Sequence, residues 1–305
     1  MRRYEGTVYD SDRWDGFELR PGDIVIAPPP KCGTTWTQMI CALLVLQEPE
    51  LPLPLDRLSP WIDMVTRARS EVFADLQAQT HRRFLKTHTP LDGIPNDPTV
   101  SYICVGRDPR DVALSIDHHI DNTDVGAFLA AREQAAAIDG IELEPLRPRP
   151  PRPDGERDRF WQWVDDETPS TQVGSSLRRT VEHLQTFRDA ADRLDIVLLH
   201  YDDLKADLEG QMRQLAARLG IDVAEHRWPG LVRAATFESM RSRAETTVPG
   251  GGREHWIDPA AFFHRGTSGQ WHDLLGHADL ERYAARVRTL ASHDLIDWVH
   301  REAID

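Results

Sequence analysis

One short loop combines the residue types that hold a phosphate or sulfate. Residues 24–46 read IVIAPPPKCGTTWTQMICALLVL, which predicts a buried strand, a tight loop and a helix with an apolar face. Lys31 supplies a charge, Gly33 allows close approach of the backbone, and Thr34 and Thr35 open the helix, where unpaired N–H groups attract anions. The Walker A loop differs, because its lysine follows the second glycine. A plain helix start with a threonine cap is the alternative interpretation.

A second group lies in RFLKTHTP, residues 83–90. Lys86 and His88 are two residues apart and share one face of a strand near its carboxyl end, where parallel sheets bind ligands. The pair could act as a charge stabiliser and a general base. The alternative is a polar strand end exposed to water. No second ligand stands at metal-like spacing from His88, so we predict no metal site.

A third group lies in VGRDPRDVALS, residues 105–115. Asp108 can cap a helix that has Pro109 at its first position. Arg107 then stands at the carboxyl edge of the sheet, and Ser115 follows about two turns into the helix. An arginine and a hydroxyl so placed can bind a second phosphate. The alternative is a salt bridge from Arg107 or Arg110 to a nearby aspartate.

The elements that must position these groups alternate between strand and helix. Apolar runs predict strands at 24–27, 83–87, 100–106 and 196–201. Helical spacing follows from Leu204 to Leu219, with a cap at Asp202 or Asp203 and an end at Gly220, and it recurs at 177–194 and from about 278. This order predicts one α/β domain over 1–305, with a central parallel sheet flanked by helices and a proline-rich insertion around 121–176.

Composition narrows the classes of partner. The net charge of −14, from 50 acidic and 36 basic residues, disfavours nucleic acid and anionic membranes as partners. No run approaches eighteen apolar residues, so no membrane span is expected, and the N-terminus has no secretory pattern. Three cysteines are too few for a disulfide framework. These features predict a cytoplasmic protein.

Six motifs in order resemble the cytosolic-type sulfotransferases, which use 3′-phosphoadenosine 5′-phosphosulfate (PAPS). PPPKCGTTW is similar to the family's 5′-phosphosulfate loop, KTHTP to its catalytic-histidine strand, and RDPRDVALS to its 3′-phosphate motif. YDDLKAD, ATFESM and FFHRGTSGQW resemble its adenine-facing, adenine-pocket and RKGxxGxW segments. The match spans roughly 24–271 and looks closest to actinobacterial, glycolipid-type members.

The resemblance implies a role for each matching residue. His88 would be the general base, Lys31 would stabilise the leaving phosphate, and Lys86 would support the transferring group. The residues it implies for donor binding are Lys31, Cys32, Gly33, Thr34, Thr35, Trp36, Arg107, Ser115, Tyr201, Thr236, Phe237, Met240, His264, Arg265 and Gly266. Trp36 and Phe237 would flank the adenine, and His264 replaces an arginine of the family motif.

The resemblance implies a sulfotransferase that moves a sulfuryl group in line from PAPS to a hydroxyl of a small-molecule or lipid acceptor. The product would be 3′-phosphoadenosine 5′-phosphate (PAP), and no metal is required. The candidate lining residues of the acceptor pocket are Trp61, Phe128, Phe160, Trp161 and Trp163, and the alternative is that most of them belong to the core. Oligomers remain possible, although HDLLGHADLE does not match the family's short dimer motif. The rival interpretations are a P-loop nucleotide kinase and a non-catalytic nucleotide-binding module.

Overall fold

A four-stranded parallel sheet lies at the centre of the molecule. The computed structural model describes residues 1–143, 145–146, 150–249, 255–301 and 304. The strands are β1 Ile24–Ile26, β2 Phe84–Lys86, β3 Ser101–Gly106 and β4 Asp195–His200, in the spatial order β2-β1-β3-β4. Every neighbouring pair is parallel. The predicted α/β class, with one domain built around a parallel sheet, is confirmed.

Helices cover both faces of this sheet. They are α1 Thr34–Leu46, α2 Leu55–Leu58, α3 Arg69–Ala78, α4 Pro109–Asp121, α5 Val125–Asp139, α6 Glu156–Val164, α7 Leu177–Arg188, α8 Tyr201–Ala206, α9 Leu208–Arg218, α10 Trp228–Ala234, α11 Phe237–Ser242, α12 Ala244–Thr247, α13 His277–Arg288 and α14 His293–His300. Short 3₁₀ helices occupy Ser11–Trp14, Leu91–Gly93, Glu225–Arg227, Ala260–Phe262 and Gln270–Asp273.

Alternating side chains of the strands divide the core into two parts. Ile24, Ile26 and Phe84 face the layer that contains α1, α9 and α10. Val25 and Leu85 face the layer that contains α6, α7, α13 and α14. These five residues of β1 and β2 are fully buried, as expected for a parallel sheet covered on two faces.

Several helix predictions need correction. The predicted helix after Tyr201 is two helices, because the Asp207 backbone is not helical, with φ −146° and ψ 76°, and its carboxylate caps a new helix at the N–H of Gly210. The first of the two is capped by the His200 side chain rather than by Asp202 or Asp203. The helix predicted over 177–194 ends at Arg188. The C-terminal helix stops at Arg288, and α14 follows it as a separate helix.

The region predicted as an insertion around 121–176 contains α5 and α6, which pack against α3 and α4. Part of its proline-rich stretch, residues 147–149, lies outside the described residues. Arg152 anchors the described part by ion pairs to Asp117 and Asp121 of α4. That the region is an insertion stays a prediction. Residues 250–254 also lie outside the described residues.

Candidate active site

The loop between β1 and α1 has the geometry of an anion site. Lys31 and Gly33 both adopt left-handed backbone conformations, with φ of 65° and 96°. Gly33 is the N-cap of α1 and no side chain caps the helix, so the threonine-cap alternative is wrong. Among the described residues, no partner reaches the buried Thr34 hydroxyl. The loop therefore combines an unpaired hydroxyl with an uncapped helix N-terminus, as an anion site requires.

Gly33 must be a glycine for two reasons. Its positive φ disfavours any side chain, and a Cβ there would lie 3.1 Å from the Tyr201 ring. Tyr201 begins α8 and its ring lies 4.3 Å from the Arg107 guanidinium and 5.5 Å from the Trp36 ring. The structure therefore brings together four of the predicted donor-binding residues, which come from three separate parts of the sequence.

Lys86 and His88 lie on one side of the strand end, as predicted. Regular pairing of β2 ends at Lys86, yet the side chains keep alternating, because Thr87 and Thr89 both turn to Asp63 on the opposite side. Trp61 lies between the two candidate catalytic groups. Lys86 Nζ is 3.8 Å from its ring centroid, and the His88 ring meets it edge-on at 4.8 Å. The alternative of a strand end exposed to water is wrong, because both side chains are buried.

One hydrogen bond determines the tautomer of His88. Its Nδ1 lies 2.8 Å from the Pro28 carbonyl oxygen, which can only accept, so Nδ1 carries the proton. Nε2 is then free to accept a proton. Burial, and next the charge of Lys86, lowers the pKa of His88 well below 6.5. His88 is therefore a neutral base at pH 7.

Lys31 has a partner that the sequence interpretation missed. Its Nζ lies 3.3 Å from Nδ1 of His119, which is on α4 one turn beyond Ser115, and 4.5 Å from the Phe262 ring centroid. Burial, and next Lys31, lowers the pKa of His119 well below 6.5, so its ring is neutral and accepts from the ammonium. The spacing of four residues from Ser115 is the signal that could have identified His119.

The two site lysines are chemically unusual. Burial, and next Arg107, lowers the pKa of Lys31 to about 7. Burial also lowers the pKa of Lys86 to about 7, against an opposing effect of Asp63. Only three of the 36 basic residues in the chain are lysines, and the third is Lys205. Because arginine stays charged when buried and lysine does not, these two positions hold the tunable cations of the site.

Arg107 is held by backbone carbonyls rather than by a carboxylate. It donates to the Lys31 carbonyl at 2.9 Å and to the Thr267 carbonyl at 3.3 Å, and its buried Nε has no partner among the described residues. The salt-bridge alternative applies to Arg110, which pairs with Asp108. Asp108 also caps α4 as predicted. Ser115 is half-buried on α4.

The predicted adenine-pocket residues adjoin Trp36 in the first turn of α1. Trp36 donates its indole N–H to the Ala235 carbonyl at 2.8 Å, which places it beside the segment 235–240. Thr236 caps α11, Phe237 begins that helix and Met240 is buried. An open depression of about 520 Å³ lies outside them, lined by Phe237, Glu238, Arg241, Ser242, Ala260 and Arg265. Lys31, Lys86 and His88 are not among the residues that line this depression.

The predicted RKGxxGxW loop, residues 262–271, lies against the segment 235–240. Gly266 has a φ of 63°, and a Cβ there would lie 2.7 Å from the Phe237 ring, so only glycine fits. The His264 ring contacts the His118 ring of α4, with centroids 3.9 Å apart and the two planes tilted by 32°. Burial, and next His118 and Arg265, lowers the pKa of His264 below 6.5. At neutral pH the histidine therefore contributes no charge where the family motif has arginine.

The remaining predicted residues are Cys32 and the candidate lining residues of the acceptor pocket. Cys32 is buried and its pKa is raised to about 12 by burial, so it is a thiol at neutral pH. Among the candidate lining residues, Trp61 contacts the site, whereas Phe160, Trp161 and Trp163 belong to the core. Phe128 is buried beside His255. In the part of the chain that the structure describes, no group of three or more metal-binding side chains is assembled.

Comparison with known families agrees with this geometry. Residues 21–293 match the Sulfotransferase domain family. The chain belongs to this family. A glycolipid sulfotransferase of Mycobacterium bovis (strain BCG / Pasteur 1173P2) is 38% identical, with 97% of this chain and 93% of the relative covered. The protein is a sulfotransferase.

Two solved structures share the sulfotransferase fold. Mouse sulfotransferase SULT7A1 in complex with PAP superimposes with a TM-score of 0.69 at 17% identity, covering 95% of this chain and 92% of that one. Retinol dehydratase in complex with androsterone and PAP gives 0.63 at 19% identity, covering 92% and 86%. No helix among the described residues of this sulfotransferase is long and apolar enough to cross a membrane.

Proposed function

We propose that this sulfotransferase transfers the sulfuryl group of PAPS to a hydroxyl of a glycolipid acceptor. The observation that carries the proposal is the convergence of Lys31, Lys86 and the neutral base His88 beside an uncapped helix N-terminus. The unpartnered Thr34 hydroxyl and Arg107 Nε fit a polyanionic donor. The glycolipid acceptor is inferred from the name of the mycobacterial relative.

The residues divide the chemistry between them. The bound donor supplies the sulfuryl group, and its phosphate side is the leaving group. His88 Nε2 takes the proton of the acceptor hydroxyl as the new oxygen–sulfur bond forms. Lys31 stabilises the charge that develops on the departing phosphate oxygen, and Lys86 stabilises the transferring group. Arg107, with Ser115, Arg265 and Gly266, holds the 3′-phosphate. Trp36, Tyr201, Thr236, Phe237 and Met240 hold the adenine.

Calorimetric titration with PAP tests the donor assignment. We expect PAP to bind without metal. It should bind at least tenfold more tightly than ATP or ADP, because Arg107 binds a 3′-phosphate that ATP and ADP lack. Equal or tighter binding of ATP with Mg²⁺ would contradict the assignment and favour a nucleotide kinase. Binding of PAP with no transfer to any hydroxyl acceptor would favour the non-catalytic module.

Donor affinity should depend on pH through His264. The pKa of His264 is below 6.5 in the free protein, so at pH 7 the ring is neutral. A bound 3′-phosphate favours the protonated ring, so PAP should bind more tightly as the pH falls below 7. His264→Arg should tighten PAP binding by about tenfold at pH 8, because a charged hydrogen bond replaces a neutral one, and should flatten the pH dependence below pH 7.

Calorimetry between pH 5.5 and 8.5 measures this effect. His277→Arg is the matched control, since it adds the same charge at a highly exposed histidine on α13. The control should leave PAP affinity within twofold of the original protein. A pH-independent affinity in the original protein, or equal gains in the two variants, would remove His264 from the 3′-phosphate site.

A further inference from the structure

Asp63 is a fully buried carboxylate next to the proposed transfer site. Four side chains donate to it. Trp61 Nε1 and the Thr89 hydroxyl are each at 2.5 Å, Trp14 Nε1 is at 3.4 Å, and the Thr87 hydroxyl also donates. Within the described residues no basic side chain lies within ion-pair distance of it. A buried charge without a salt bridge is costly, which favours a role beyond stability.

The hydrogen-bond pattern favours an ionised Asp63. The indole N–H groups of Trp61 and Trp14 can only donate. The Thr87 hydroxyl accepts the N–H of Thr89 at 2.9 Å, which leaves its own proton for Asp63. Three of the four neighbours can therefore only donate to the carboxyl group, and the Thr89 hydroxyl is able to donate as well. Burial raises the pKa of Asp63, and the hydrogen bonds oppose that rise.

Trp61 connects this charge to Lys86. The segment around Trp61 runs parallel to the end of β2, with the Lys86 N–H bonded to the Pro60 carbonyl at 2.9 Å and the Ile62 N–H bonded to the Lys86 carbonyl at 3.0 Å. One edge of the indole donates to Asp63, and its face lies 3.8 Å from Lys86 Nζ. A negative charge at the indole N–H strengthens the attraction of the ring for a cation.

We propose that Asp63 is a positioning residue of the transfer site, which orients the Trp61 ring and the strand end that bears Lys86 and His88 and balances the Lys86 ammonium with its negative charge. The inference rests on the catalytic roles proposed for Lys86 and His88. It adds a buried anion to a site whose other charges are cations. It also explains why the sequence places Trp61 and Asp63 two residues apart beside β2.

Other charged groups act on Lys86 and set the background for the test. Lys31, from the loop before α1, opposes its protonation, whereas Asp56 of α2 favours it. His88 and His119 of α4 are neutral near it, since their pKa values are lowered well below 6.5. Asp63 is the largest of the favourable charges on Lys86. Removing its charge should therefore release the Lys86 proton at lower pH.

Lysine-selective ¹³C labelling tests the inference directly, because the chain has three lysines and gives three ε-carbon resonances. In Asp63→Asn we expect the Lys86 titration to move to lower pH by about one unit, since a nearby opposite charge is lost. The Lys205 titration should not move. In turnover, kcat should fall by about tenfold, with the alkaline limb at lower pH, and the KM for PAPS should stay within twofold.

Two further variants make the outcome decisive. Trp61→Phe keeps the aromatic face and loses the N–H to Asp63, so it should move the Lys86 titration in the same direction by less. Asp23→Asn is the matched control, since Asp23 is also a buried carboxylate. It pairs with Arg83, which precedes β2 at the end of the strand opposite Lys86. It should lower stability and leave the Lys86 titration in place.

The lysine titration measures the effect of Asp63 on Lys86 without requiring turnover. If PAP fails to bind but Asp63→Asn still shifts Lys86, the proposed function fails and the charge coupling remains. An unmoved Lys86 titration in Asp63→Asn, or a shift of equal size in Asp23→Asn, would overturn the inference. If Asp63→Asn does not fold, an unmoved titration in Trp61→Phe would overturn it.

Discussion

His88→Ala is expected to lower kcat by about 10³-fold and to change the affinity for PAP by less than threefold. The loss follows from removing the base that accepts the hydroxyl proton, which contributes 10²- to 10⁴-fold in enzymes of this kind. Donor affinity should persist, because the imidazole meets this loop at the Pro28 carbonyl, whereas Lys31 bonds to His119 and Arg107 bonds to backbone carbonyls. Steady-state turnover and PAP calorimetry on the same preparations measure the two effects.

The pH profile gives a second check on His88. Burial and Lys86 hold the pKa of His88 well below 6.5, so the ring stays unprotonated as the pH falls past the usual imidazole range. The acid limb of kcat/KM in the original protein should therefore lie below pH 6.5. An acid limb at or above pH 6.5 would contradict the lowered pKa of His88 in the free enzyme.

His300→Ala serves as the matched control. His300 is also buried, and its Nδ1 also lies against a backbone carbonyl, that of Ile296 at 2.7 Å, but it lies on α14. Its loss should lower the melting temperature through a lost buried hydrogen bond while leaving kcat within threefold. Similar losses of turnover in the two variants would mean that His88 acts through stability.

The strands and the donor loop were predictable because local patterns determine them. The four apolar runs are too short for helices and are bounded by polar or proline residues, and each became a strand within one or two residues of the prediction. Asp108 followed by Pro109 marks a helix start through the chemistry of two adjacent residues. Such signals need no tertiary contact.

The helix boundaries were less predictable because competing caps decide them. The apolar spacing continues through Asp207, yet its carboxylate bonds the N–H of Gly210 and restarts the helix. His200 caps α8 although two aspartates follow it. Leu280, Tyr283 and Val287 indicated α13, but the polar start of α14 at Ser292 hid a second helix.

The site itself depends on contacts that a single pattern does not encode. His119 reaches Lys31 across 88 positions, and Trp61 reaches His88 only because its segment pairs beside β2. In the sequence, Asp63 is one of many acidic residues, and no pattern distinguishes it from the others. Its burial, with four donors around it, appears only once the chain is folded. The roles assigned to the donor-binding residues stay predictions.

Lys31→Met should lower kcat by roughly 10²- to 10³-fold, the usual effect of removing one group that stabilises developing charge. The reason lies in its setting. Lys31 stands at the anion loop with its Nζ on His119 and the Phe262 ring, where a charge is worth more than in water. Lys205→Met is the matched control, because that lysine is exposed and its loss removes the same charge. It should leave kcat within twofold.

Titration of the ε-carbon of Lys31 separates a charge role from a packing role. The pKa of Lys31 is about 7 in the free protein, so much of the ammonium is lost above that pH. A bound polyanion favours the ammonium, so PAP should move the Lys31 titration to higher pH, and kcat/KM for PAPS should fall above pH 7 while kcat falls less. If PAP binds and the Lys31 resonance titrates unchanged, the lysine does not face the donor phosphate. Turnover lost in Lys31→Met would then reflect the packing of Phe262 and His119 instead.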